Sequence, residues 1–184
     1  KLEDTLIVIT SDHGGMFHNI PERDHISHRL DCFYDELYHV PLIFSDKETC
    51  KLEHEGLTSS VDIAPTILKK LNIEIPDSFR GIAVNVHEPG REYVIMENQG
   101  RGPCNLETKS IRVCVRTSSM KLVYETEPAS ISSHQFVSEL YDLEKDPDEH
   151  ENLRVNKESL DKAEALIKIA KNRIQDISRK TPES

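Results

Sequence analysis

The stretch Asp4-Thr-Leu-Ile-Val-Ile-Thr-Ser-Asp-His-Gly-Gly15 constrains the fold more than any other. Leu6, Ile7, Val8 and Ile9 form an unbroken, mostly β-branched run, the pattern of a strand buried on both faces of a parallel sheet. A polar turn, Thr10 to Gly15, follows at once. Ligands in open α/β sheets gather just outside the carboxyl ends of the strands, so Asp12 and His13 stand where a site forms. A carboxylate oxygen and an imidazole nitrogen both bind divalent cations. The two glycines let the backbone approach a neighbour closely. These residue types fit equally a plain strand exit with a turn-forming Asp and a surface His.

Beyond that turn, Met16 to Leu30 is a polar loop without periodicity, holding His18, His25 and His28 beside Arg23 and Arg29. Loops of this length are often functional. Asp31 is placed to cap a short helix through Tyr38, with Phe33, Leu37 and Tyr34 inward, and Val40 to Phe44 reads as a core strand with Pro41 at its start. Ser59, Ser60 and Asp62 offer caps for a helix whose Ile63, Ile67, Leu68 and Leu71 form an apolar stripe, expected to be core. Tyr93 to Met96 is a further strand. Ile111 to Arg116 alternates apolar and charged residues, which predicts an antiparallel strand with one wet face. Met120 to Tyr124 is its hairpin partner across Thr117-Ser118-Ser119, and Ser138 to Leu143 is one more strand, ended by Asp146-Pro147. Leu160, Ala163, Ile167, Ala170, Ile174 and Ile177 recur at intervals of three and four, giving an amphipathic helix of about five turns with Asn156 as its cap.

A chain of 184 residues builds one domain, or one with a small annex. A formal charge of -10 argues against a nucleic-acid partner and supplies no basic patch for a membrane surface. It does not forbid an anionic substrate, because a bound cation reverses the local field. No apolar run reaches the length of a bilayer span. Cys32, Cys50, Cys104 and Cys114 are widely spaced with no CxxC pair, so a structural zinc site is not expected and buried free thiols are.

Asp4 to Gly14 resembles the metal-binding strand and turn of the sulfatases, in the alkaline phosphatase superfamily. Tyr34-Asp-Glu-Leu-Tyr-His-Val-Pro-Leu-Ile-Phe44 resembles the family's next helix and strand, and Ser60-Val-Asp-Ile-Ala-Pro-Thr-Ile-Leu68 the helix after it. Ile111 to Thr117 with Lys121 to Tyr124 resembles its small C-terminal sheet, and Leu140-Tyr-Asp-Leu-Glu-Lys-Asp-Pro-Asp-Glu-His-Glu-Asn-Leu153 its terminal segment. The resemblance implies an α/β fold: part of an alkaline-phosphatase-like sheet with helices over residues 1–90, then over 91–184 a small antiparallel sheet packed with a long terminal helix. A first element that reads as a central strand needs neighbours on both sides. The chain is therefore expected to be the C-terminal portion of a longer protein.

The implied reaction is hydrolysis of a sulfate ester, on a sulfated carbohydrate or small molecule, in which a divalent metal neutralises the anionic group. The implied metal ligands are Asp12 and His13. Calcium is the usual sulfatase metal, whereas the nitrogen of His13 also suits zinc or manganese, the metals of the phosphatase branches. The family also places a substrate-contacting Lys about nine residues before the position of His39. That count falls on Leu30, leaving His28 and Arg29 to supply a proton donor or an anion-binding fork. The family nucleophile is a formylglycine made within a Cys/Ser-x-Pro/Ala-x-Arg motif, and none of the four cysteines lies in one. Calcium takes about six to eight oxygens. The chain is expected to bind metal poorly and to be inactive without the N-terminal portion of the same protein. A phosphodiesterase, phosphatase or phospho-group transferase of the same superfamily is one alternative, and a non-catalytic module with a vestigial site is another.

Overall fold

Apolar residues alternating along four consecutive strands give the molecule its main core. In the computed structural model, residues 4–15, 32–47, 53–98, 109–128 and 134–180 are described. Strands β3 (Val94–Asn98), β4 (Arg112–Arg116), β5 (Met120–Thr126) and β6 (Gln135–Asp142) form one antiparallel sheet in that order. Arg116 pairs with Lys121 at the β4–β5 hairpin, where the Thr117 amide donates to the Met120 carbonyl at 2.8 Å and the Thr117 hydroxyl accepts from the Met120 amide at 2.9 Å.

The terminal amphipathic stripe lies on this sheet. Helix α3 (Lys157–Lys162) is capped by the Asn156 side chain, which accepts from the Ser159 amide at 3.0 Å. Helix α4 (Glu164–Lys180) follows without a loop. The break falls at Ala163, whose amide is shared between the Ser159 and Leu160 carbonyls at 3.1 Å each, so the expected single helix is tightened into two. Ala163, Leu166, Ala170 and Ile174 pack with Ile111, Val113, Val115, Leu122, Tyr124 and Leu140 in one buried cluster.

The strand expected to have one wet face has none. Cys114 and Val123, on the side away from α4, are buried beneath Phe33. The segment Cys32–Leu37, remote in sequence, covers that side, so Val113, Cys114 and Val115 are all dry. The charged ends of β4 are held by pairs rather than water: Arg112 meets Glu125 at 3.3 Å and Glu139 at 2.5 Å. Cys32 and Cys114 are both buried, and burial pushes the Cys114 thiol far above its ordinary value. Cys50 and Cys104 lie outside the described residues.

The β-branched run at the start does make a strand, β1 (Ile7–Thr10), but its partner β2 (Leu42–Ser45) runs antiparallel, with Thr10 opposite Leu42 and Ile7 opposite Ser45. A parallel neighbour needs a crossover back to the strand's beginning. Here α1 (Asp35–Tyr38) sits at the carboxyl end of β1 and feeds the chain straight back. The two strands are also open where burial on both faces was expected. Ile9 is 53% and Ile43 50% exposed, since among the described residues no helix is laid over them.

Helix α2 (Ile63–Lys70) likewise differs from its expected packing. Ile63, Ile67 and Leu68 are half-buried and Leu71 is exposed, while the buried face carries Asp62, Pro65 and Thr66. A polar latch explains this. The Asp62 carboxylate accepts from the amides of Ser59 at 2.9 Å and Ile82 at 2.8 Å and from both forks of the Arg91 guanidinium. Thr66 donates to the Asp62 carbonyl and accepts from the Val84 amide, so residues 82–91 are strapped along the helix. Gly81 is needed for that approach: a Cβ there would lie 1.9 Å from the Val61 carbonyl oxygen. Among the described residues, no helix is long and apolar enough to cross a membrane.

Two outcomes follow from this packing. Leu140→Ala, in the fully closed cluster, is expected to lower unfolding free energy by about 2–5 kcal/mol in denaturant titration. A change under about 1 kcal/mol would mean that the core collapses around the deletion. Burial alone would raise the Asp62 pKa, yet Arg91 and the two amides outweigh it and hold the carboxyl below its ordinary value of 3.8. A depressed folded pKa contributes stability that is present above that value and lost as pH falls through the folded one. The denaturation midpoint of Asp62→Asn should therefore fall less between pH 5 and pH 2 than that of the parent chain.

Candidate functional site

The carboxyl end of β1 opens into a turn built by its own side chains. The Ser11 hydroxyl donates to the His13 carbonyl at 2.7 Å, and the Asp12 Oδ1 accepts from the His13 amide at 2.9 Å. That amide bond, with the adjacent imidazole, holds the Asp12 carboxyl below its ordinary value. His13 Nδ1 lies 2.7 Å from the Gly14 carbonyl oxygen. A carbonyl only accepts, so this contact assigns the proton to Nδ1 and leaves Nε2 with its lone pair in the neutral ring. Asp12 Oδ2 and His13 Nε2 are 3.7 Å apart, and their side chains are 88% and 51% exposed. One anionic oxygen and one nitrogen therefore stand side by side, open to solvent.

The turn is fixed from behind. The Gly14 amide donates to the Leu37 carbonyl of α1 at 2.8 Å, and a Cβ on Gly14 would lie 2.0 Å from the Glu36 carbonyl oxygen. Only glycine allows the two backbones to meet so closely. Helix α1 is in turn anchored to the four-stranded sheet. Arg116 forks onto both oxygens of Asp35 at 2.8–3.1 Å, and Lys121 reaches Asp35 Oδ1 at 2.5 Å and the Phe33 carbonyl at 2.9 Å. Glu149 Oε2 accepts from the Asp35 amide at 2.8 Å, and its Oε1 lies 2.5 Å from Lys121 Nζ. Burial would raise the Asp35 carboxyl, but Arg116 and Lys121 hold it below its ordinary value, whereas at Glu149 burial wins and pushes the carboxyl up.

Asp12 and His13, the two ligand candidates read from the sequence, are thus brought together. His28 and Arg29, with His18 and His25, lie outside the described residues. His39 ends α1 with its amide on the Asp35 carbonyl at 2.7 Å. Asp35, Lys121 and Glu149 were not singled out from the sequence. The available signal was a lysine inside the otherwise apolar run Met120 to Tyr124.

The donor set fits a cation in kind but not in number. A carboxylate oxygen and an imidazole nitrogen 3.7 Å apart suit neighbouring ligands of one ion, yet among the described residues no group of three or more His, Cys, Asp or Glu gathers to hold one. A shallow groove of about 550 Å³, lined by Tyr124, Phe136, Arg154 and Lys171 among others, lies between β6 and the last two helices and shares no residue with the turn.

An α/β assembly with a small antiparallel sheet under a long terminal helix, and a carboxylate and imidazole at a strand end, is the alkaline-phosphatase-like architecture. Two solved structures share it. One, described as a complex with its substrate D-glucosamine-2-N,6-O-disulfate, superposes with a TM-score of 0.66 at 21% identity over 98% of this chain and 36% of that one. The other, from work on glycosaminoglycan metabolism by Bacteroides thetaiotaomicron, gives 0.63 at 20% identity over 87% of this chain and 35% of that one. Residues 1–73 match the family model Sulfatase. Arylsulfatase K of Bos taurus is 27% identical over 83% of this chain and 28% of its own length. A delta 4,5-hexuronate-2-O-sulfatase of Bacteroides thetaiotaomicron is 29% identical over 82% of this chain and 30% of its own. The chain is thus similar to sulfatases over most of its length. It spans about 30% of the length of these curated relatives.

Gly14→Ala tests the seat of the turn. It is expected to shift the backbone resonances of residues 12–14 and of 36–37 together, since a backbone oxygen stands where the Cβ must go. Unchanged resonances at 36–37 would separate the turn from α1.

Proposed function

We propose that this chain is the C-terminal portion of a metal-dependent hydrolase of sulfate esters, with a sulfated sugar as substrate. The observation that supports it is the exposed Asp12 Oδ2 and His13 Nε2, 3.7 Å apart at a strand's carboxyl end, within the residues that match the family model. The names of the relatives point to sulfated sugars, since they include a hexuronate sulfatase and a structure bound to a sulfated glucosamine.

Asp12 and His13 are the ligands this chain contributes, and calcium is the metal favoured by the family, with zinc or manganese the alternatives that a nitrogen ligand allows. When bound, the ion neutralises the sulfate and the charge that develops on its oxygens. The chain's own part is to hold the Asp12 carboxylate and the His13 imidazole side by side at the same edge, with Nδ1 turned to the Gly14 carbonyl. His28 and Arg29 are the candidates for contact with the substrate's anion or its leaving oxygen. The remaining ligands and the formylglycine nucleophile belong, in this reading, to an N-terminal portion of the same protein, while within this chain residues 1–90 carry the Asp12–His13 edge and residues 91–184 form the small subdomain that backs it.

In a protein comprising both portions, Asp12→Ala is expected to cut metal-dependent sulfate release from a sulfated monosaccharide by about a hundredfold or more, since a metal's charge stabilisation amounts to several kcal/mol. Its circular dichroism should not change, because the carboxylate is exposed and outside the core. Equal activity in both proteins at limiting metal would remove Asp12 from the site. Tight, stoichiometric calcium binding by the 184-residue chain would contradict a shared site.

A further inference from the structure

We propose that Lys121, with Glu149 and Arg116, acts as the positioning device for the Asp12–His13 turn, holding it through Asp35 and α1. The role rests on reading that turn as a metal-binding edge. The path is continuous and made of short contacts. Lys121 Nζ has three donors and meets three oxygens: the Phe33 carbonyl at 2.9 Å, Asp35 Oδ1 at 2.5 Å and Glu149 Oε1 at 2.5 Å. Glu149 takes the Asp35 amide, and Arg116 grips both Asp35 oxygens. Two residues further along α1, the Leu37 carbonyl takes the Gly14 amide at 2.8 Å, directly behind His13.

Three features mark this as positioning rather than general cohesion. The lysine side chain is only 1% exposed, and two of its three oxygens belong to the segment Phe33–Asp35, so its charge is satisfied only when that segment is seated. Two cations face two carboxylates, and since Lys121 and Glu149 are 1% and 3% exposed, removing either leaves its partner's charge uncompensated where little water reaches. Glu149 is held at φ 59°, a left-handed conformation that a non-glycine residue adopts at a cost, and from there both carboxylate oxygens reach the cluster. The apolar contacts of Phe33 with Cys114 and Val123 fix how far the segment lies from the sheet, but apolar packing is non-directional. The fork of Arg116 and the three-way grip of Lys121 set its register, and register decides where the Leu37 carbonyl points.

The test uses the 184-residue chain and three variants, Lys121→Met, Asp35→Asn and, as a control, Arg173→Met. The control breaks the exposed Arg173–Glu97 pair between α4 and β3. Amide hydrogen exchange is followed at Gly14 and at Val115 and Leu122 in the sheet, and Mn²⁺ is titrated in while broadening of the Asp12 and His13 amides is recorded. Lys121→Met and Asp35→Asn are each expected to speed Gly14 exchange tenfold or more and to weaken the Mn²⁺ broadening severalfold, with the sheet amides still protected and the control like the parent. Unchanged Gly14 exchange in both cluster variants overturns the positioning role. So does an equal rise in the control, which would make Gly14 a reporter of global stability, or loss of sheet protection in both cluster variants, which would make the cluster a folding determinant. Absence of Mn²⁺ broadening in the parent overturns the metal reading instead, and the exchange results separate that failure from the first.

Discussion

A buried lysine decides how the two sheets of this protein meet. Lys121 lies near the start of the largely apolar β5, shielded from solvent, between a carboxylate from α1 and another from the loop after β6. Taking two charges out of water costs several kcal/mol each, and their mutual attraction offsets this only with good geometry and satisfied hydrogen bonds. At an effective dielectric near 20 a pair 4 Å apart gains about 4 kcal/mol, which is the same order as the cost. Such a cluster is a weak source of net stability but a strict source of register, because almost any other arrangement leaves a charge unpaired. The cohesion comes from elsewhere: Val113, Val115, Leu122 and Leu140 closing under α4, and Phe33 closing over Cys114 and Val123.

This arrangement ties the Asp12–His13 end of the chain to its small sheet. The residues that match the sulfatase model end at 73, while Lys121, Arg116 and Glu149 come well after them. The four-stranded sheet is then more than a covering annex, since it seats the helix on which the Asp12–His13 turn rests. The contrast in closure between the two regions is consistent with this. The sheet and its helix enclose a common buried core, whereas among the described residues nearly all the large exposed apolar side chains, from Ile7 to Tyr93, precede β3.

Much of the architecture was legible in the sequence. The hairpin across Thr117 to Ser119, the terminal apolar stripe with its Asn156 cap, though split into two helices, and the strand just before Asp12 all appear where local pattern placed them. The site was legible in part. Asp12 and His13 stood out by residue type at a strand's end, but the glycine contact that seats them involves Leu37, and the anchors of that helix lie some 80 to 114 residues further on. A lysine in an apolar run is a visible oddity, yet its partners are chosen by the fold. The same applies to β4, whose Arg-Val-Cys-Val-Arg pattern predicts a wet face because nothing nearby reveals Phe33 lying over Cys114.

The sequence by itself determined which residues form strands and helices, where they are capped, and that a carboxylate and an imidazole share a strand end. Those features follow from periods of 2 and 3.6 residues and from hydrogen bonds spanning a few positions, all local interactions. Tertiary structure alone decided that β2 returns antiparallel to β1, that both faces of β4 are dry, that α2 buries Asp62 and Thr66 in preference to its apolar stripe, and that Lys121 is paired in the interior. Each of these depends on which distant segment covers a face, and no local pattern carries that information.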